Sequence, residues 1–113
     1  MARIKTIPTG WVFYCMACRS LHRLDARFRF NYNMDRPTFK DTINLTVILP
    51  KGHPQEGQSV QCHSILTGGV IKYLETSTHA MKGQTMGLVD FEEVAALRRA
   101  QEEGRKSMAA RVD

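Results

Sequence analysis

Cysteine is scarce in this chain and its count is odd, with three residues in 113. An odd set cannot pair off within one chain, so a disulfide framework is not the organising device. Long apolar runs are missing as well. None approaches the roughly 18 residues that a membrane-spanning helix needs, and no membrane partner is expected. The opening residues, Met1-Ala2-Arg3-Ile4-Lys5, lack the apolar stretch of a secretory signal. The expected compartment is therefore the cytoplasm, where thiols stay reduced. There is no internal repeat and no low-complexity tract. H-E-x-x-H, H-x-E with P-C-x-x-C, the phosphate-cradling P-loop and G-x-S-x-G are all missing, so no motif-defined enzyme class claims the chain.

What is present is ordinary globular composition: 42% hydrophobic and 24% charged residues, in a length that suits one domain. A chain this short buries only a modest core, and a structural metal would add stability that the core lacks. The net charge of +5 is unevenly placed. Up to Asp90 there are 11 Lys and Arg against 6 Asp and Glu, whereas from Phe91 onward there are 5 of each. The basic surface therefore belongs to the body of the domain, and the C-terminal segment is charge-balanced.

Hydrophobic periodicity reads mostly as strands. Met1 to Gly10 is an extended lead-in, and Trp11 to Tyr14 is a short buried strand. Leu24, Ala26, Phe28, Phe30 and Tyr32 alternate with Arg23, Asp25, Arg27, Arg29 and Asn31, which predicts one strand with an apolar and a basic face. Asn31 to Pro37 is a loop, Ile43 to Leu49 a strand, and Pro50 to Ser59 a polar loop. Val60 to Leu66 and Val70 to Glu75, joined by Thr67-Gly68-Gly69, predict a β-hairpin. Thr76 to Val89 reads as a short helical turn and a final strand near Thr85 to Val89. Asp90, with Glu93 three positions later, marks a helix start, and Phe91, Val94 and Leu97 form its apolar stripe. The expected fold is mainly β (α+β): a small antiparallel β-sheet domain with a zinc-ribbon-like knuckle over 1–90, then a C-terminal helix and frayed tail over 91–113.

The knuckle is Cys15-Met16-Ala17-Cys18. Two thiols spaced by two residues can hold one metal ion, and structural zinc takes four Cys or His ligands. A redox C-x-x-C would need a βαβ context, whereas an arginine-rich alternating segment follows here. Cys62 is the third thiol. His63, its neighbour on a predicted strand, should point to the opposite face. His79, in the irregular stretch after the hairpin, is the preferred fourth ligand, with His22 and His63 as alternatives and His53 the weakest of the four histidines. Structural Zn2+ is thus the expected cofactor. As candidates for a catalytic base the chain offers only Glu75, and more distantly Asp25, and the residues favour a non-enzymatic reading.

Arg23, Arg27 and Arg29 on one predicted strand face, with Arg19 before and Arg36 after, form a candidate partner-binding stripe. Phe28, Phe30 and Tyr32 fall on the opposite face, so the stripe suits contact with phosphates or an acidic protein better than base stacking.

Taken in order, aromatic-Cys-x-x-Cys-x-x-x-His, Phe-Asn-Tyr-Asn-Met-Asp-Arg-Pro-Thr-Phe, Cys-His-Ser, Gly-x-Ile-x-Tyr-Leu and Thr-His-Ala-Met-Lys-Gly-Gln-Thr resemble a family of small uncharacterised bacteriophage and prophage proteins. Some members carry an ammonia monooxygenase label that nothing in this sequence supports. The resemblance covers Trp11 to Leu88 and places Cys15, Cys18, His22, Arg36, Pro37, Thr38, Cys62, His63, His79, Gly83 and Gln84 at motif positions. Lys40-Asp41-Thr42 stands where the pattern has a second Pro-Ser. The resemblance implies a phage-encoded protein in a bacterial host cytosol, one that binds a host protein such as a defence factor. Three histidines at motif positions would also allow a catalytic or second metal site. A metal-dependent hydrolase using the Cys/His cluster, and a nucleic-acid-binding or virion assembly component using the arginine face, are the alternatives.

Overall fold

Chain order alone builds both sheets of this protein, because within each sheet every strand pairs with its sequence neighbours. The computed structural model describes residues 2–100. Strands β1 (Lys5–Ile7), β2 (Gly10–Cys15) and β3 (Ser20–Asp25) form a three-stranded antiparallel meander. Strands β4 (Ile43–Ile48), β5 (Ser59–Thr67), β6 (Val70–Tyr73) and β7 (Thr85–Gly87) form a second, four-stranded one. The protein is therefore mainly β, as expected. A helix over residues 91–100 follows; no helix among the described residues is long and apolar enough to cross a membrane.

The central strand β2 is buried along its whole length. Its inner face presents Trp11, Phe13 and Cys15 to a core shared with Ile4, Leu24, Ile43, Val60, Cys62, Leu66, Ile71 and Tyr73. Its outer face presents Val12 and Tyr14, each 4% exposed. The helix covers that outer face: Val94 is buried, Arg98 acts electrostatically on Tyr14, and the Phe91 amide donates to the Ala2 carbonyl. Asp90 caps the helix as predicted, its Oδ1 accepting from the Glu92 amide at 3.1 Å. The tail from residue 101, expected to fray, lies outside the described residues.

Turn chemistry sets the connections. Gly10 closes the β1–β2 hairpin at φ +151, where an added Cβ would meet the Leu24 carbonyl oxygen at 2.0 Å. Gly68 and Gly69 lie at φ +58 and +81, the two successive positive angles that a tight β5–β6 turn demands.

The long alternating run is where the fold departs most from expectation. It does not make one strand: β3 ends at Asp25. The Asp25 carboxylate accepts from the Arg27 amide at 3.0 Å and the Asp25 carbonyl from the Phe28 amide at 3.2 Å, so the chain turns there. Phe28 and Phe30 still reach the core, but from a connector rather than a strand. That connector is shaped by two asparagines. Asn31 Oδ1 accepts from the amides of Asn33 and Thr38, and Asn33 Oδ1 from those of Asp35 and Arg36. It is then laced to the second sheet by bonds from the Phe39 amide to the Leu66 carbonyl and from the Gly69 amide to the Pro37 carbonyl. Residues 76–84, where a helical turn was expected, form turns instead, because Ser77 and Thr78 bond sideways to His63 and Gln61 of β5.

Phe39 is the hub of the connector. It is 2% exposed and stacks on Phe30 at 4.6 Å, with Trp11 at 5.7 Å and Phe28 at 6.2 Å. Phe39→Ala should cost about 3–5 kcal/mol, as large-to-small changes in packed aromatic cores do, seen as a lower urea midpoint at unchanged slope. A loss below about 1 kcal/mol would show that the ring cluster is not part of the core.

Candidate metal centre

The β2–β3 hairpin brings three of the four ligand candidates together. Its register pairs Phe13 with His22 and Cys15 with Ser20, so Cys15 and His22 are diagonal neighbours on the inner face. Cys18 lies in the turn between the strands, which Arg19 completes at φ +52. The fourth, Cys62, comes from the other sheet. It shares the buried side of β5 with Val60, Ser64 and Leu66, while His63 points to the other side, as strand parity predicted. The ligand atoms of Cys15, Cys18, His22 and Cys62 all lie within 4.8 Å of one another. Each residue is 4% exposed or less.

The three cysteines are free thiols. Cys15 and Cys62 place their sulfurs 3.9 Å apart, well beyond the roughly 2.05 Å of a disulfide. A tetrahedral ion with metal–sulfur bonds near 2.3 Å would hold its thiolates about 3.8 Å apart, so the spacing suits such a site. The protons tell the same story. Hydrogen bonds from Cys18 and Cys62 hold the Cys15 thiol well below its ordinary pKa. Cys18, engaged with Cys15, is pushed up to about 12, and Cys62 is raised by its bonds to both. Cys15 is thus the most acidic of three mutually hydrogen-bonded thiols, and a cation replacing their protons would stabilise the cluster. His22 Nε2 is buried without a hydrogen-bond partner, an orphan that coordination would satisfy. Three soft sulfurs and one imidazole, enclosed and disulfide-free, are compatible with a metal site.

A second shell holds the knuckle in place. Tyr73 is fully buried, and its hydroxyl lies 3.2 Å from Cys15 Sγ while accepting from the Ala17 amide at 3.4 Å. His53 accepts the Gln55 amide at Nδ1, so its Nε2 carries the proton and donates to the Ala17 carbonyl at 2.9 Å. Sequence reasoning missed both contributions. The alternation of Ile71 and Tyr73 on β6 signalled a buried tyrosine, but nothing local marked His53, whose reach depends on the fold of its loop.

The fourth ligand position differs from the expected one. His22, the second choice, is in the group, and His79 is not. His79 stands edge-on to the Tyr73 ring at 4.9 Å, with Nδ1 accepting from the Met81 amide. Burial lowers its pKa and keeps it neutral. The signal for His22 was available: it has the parity of the buried Leu24, and a hairpin folds it back over Cys15. His63 instead bonds to Thr76 Oγ1. Glu75 is exposed and its carboxylate lies against Gly83, while Asp25 is engaged by Arg27, whose hydrogen bonds hold its carboxyl below the usual range. Neither acid joins the group, which is the only cluster of metal-ligand type among the described residues.

The predicted arginine stripe is dispersed. Arg27 pairs with Asp25 at 2.8 Å and Arg29 with Asp41 at 2.9 Å. Arg36 lies in the asparagine-turned connector. Arg23 alone keeps its place on β3, where it lines a groove with Arg19.

No protein family, curated protein or solved structure matches this chain.

The donor set makes the histidines separable by experiment. His22→Ala should lower metal affinity by at least about 100-fold, whereas His79→Ala should leave metal content near that of the parent by elemental analysis. Equal loss in both variants would return His79 to the ligand set. Tyr73→Phe, which removes only the hydroxyl at Cys15, should weaken the site by roughly 10-fold, read by competition with a chromogenic chelator.

Proposed function

We propose that the protein is a non-enzymatic binding module of phage type, held together by one structural Zn2+ on Cys15, Cys18, His22 and Cys62. It acts by engaging a host macromolecule, a defence factor being the class that a phage or prophage context suggests. The observation that carries this reading is the closure of the ligand group. Catalytic zinc keeps three protein ligands and an open position reached by water and substrate. Here four candidate ligands are present and all are buried. A hydrolase would also need a base near the ion, whereas Glu75 is exposed outside the cluster and Asp25 is engaged by Arg27. An ion in this position would join the two sheets, leaving function to the surfaces they carry.

Zinc is favoured over other divalent cations by the thiolate-rich donor set and by its lack of redox chemistry among reduced cysteines. The bacterial cytosol, where thiols stay reduced, is the matching compartment. The nucleic-acid alternative loses its main support with the dispersal of the arginine stripe, since Arg27 and Arg29 already have carboxylate partners.

Cobalt substitution tests the closed site. Protein loaded with Co2+ should show the intense visible absorption of a tetrahedral thiolate-rich ion, unchanged by added azide. A spectral shift on titrating azide would reveal an open coordination position and turn the reading toward catalysis.

A further inference from the structure

The two sheets each leave one strand edge unpaired on the same side of the molecule. β3 bonds to β2 alone and β4 to β5 alone, and the two edges face each other across an open groove of about 1130 Å³. Consecutive residues of both parities line it, 19–23 from the β3 side and 45–48 from β4, so the groove runs along strand edges and not across a sheet face. Alternate N–H and C=O groups of such edges point outward. The third wall is the helix, through Ala95, Arg98 and Arg99.

The lining has a definite chemistry. Arg19, Arg23, Arg98 and Arg99 make no ion pair among the described residues, and no carboxylate lines the groove. Between these cations β4 carries aliphatic side chains on both its sides, with Leu45 and Val47 on the core side and Ile48, 72% exposed, on the other. Among the described residues no Phe, Tyr or Trp lines it to stack a base. Cations flanking aliphatic residues along an open strand edge match an extended polypeptide whose side chains alternate between acidic and apolar.

We propose that this groove receives an extended acidic segment of a partner protein, which adds as a strand to the β4 edge while its carboxylates meet Arg19, Arg23, Arg98 and Arg99. The proposal rests on the binding-module reading and names the partner surface for it. Alternate apolar side chains, all on one side of the segment, would cover Ile48 and remove from water the most exposed large aliphatic residue of the sheet. Backbone bonds would supply affinity and the arginines selectivity against neutral or basic segments.

The test uses full-length, metal-loaded protein and fluorescence anisotropy. The probe is a fluorescein-labelled peptide of alternating Glu and Val, as long as β4. It should bind, and the Lys-for-Glu peptide should not. N-methylation of alternate backbone amides, which blocks strand addition but keeps every charge, should weaken binding by at least about tenfold. Arg23→Glu/Arg98→Glu should do the same, with metal content unchanged as the check on folding. The proposal is overturned if N-methylation has no effect, if the double variant binds as tightly as the parent, or if a labelled oligothymidine binds more tightly than the acidic peptide. A host macromolecule captured equally by parent and double variant would sink the groove and leave the binding-module reading standing. Failure of that reading would show separately, as an azide-sensitive cobalt spectrum.

Discussion

The contact between Cys15 and Cys62 is the constraint on which the rest of the molecule depends. One sulfur ends the central strand of the first sheet, the other lies mid-strand in the second, and 47 positions of chain separate them. Close approach of two buried thiols gains little by itself. The knuckle, His22 and Tyr73 are all set around that approach, and each is buried for reasons that lie in its own strand. Parity puts His22 beneath Leu24, and β6 alternation puts Tyr73 beneath Ile71. The proposed zinc would turn this convergence from a packing contact into a bond network.

Much of the fold is written in local patterns. The Gly68-Gly69 hairpin, the β4 alternation, the opposite facing of Cys62 and His63 and the Asp90 cap all follow from rules that act over a few residues. The misreadings share a cause. Of the apolar face expected from Arg23 to Tyr32, Leu24, Phe28 and Phe30 are covered but Ala26 and Tyr32 are exposed, because Asp25 and Asn31 offer side-chain acceptors to the backbone and break the strand. Charge patterning failed in the same segment, because a sequence does not announce that Asp41 will fold back to Arg29. At the cluster, the three cysteines were the thiols the sequence offered, but choosing among the histidines required the hairpin register, which is a tertiary quantity even when its strands are adjacent.

The same topology that closes the core leaves four strand edges unpaired, and two of them, β3 and β4, line one groove. Small β proteins commonly blunt such edges with charge, and here the flanking arginines serve that purpose in the free protein. A charge that discourages self-association also selects what is admitted. The groove is therefore consistent with a protein that stays monodisperse alone and takes up a strand of opposite charge.

Both sheets are meanders in strict chain order, with the connector between them as the only long passage. Each can form from neighbouring segments at small loop-closure cost, so assembly of the individual sheets is fast by nature. Bringing the two sheets together is different, since contacts such as Cys15 with Cys62 and Tyr73 with Ala17 join distant parts of the chain. Cys62 thus carries a kinetic meaning: it is where two quickly formed halves become committed to one another, and a metal ion arriving there would act as a latch on the folding pathway.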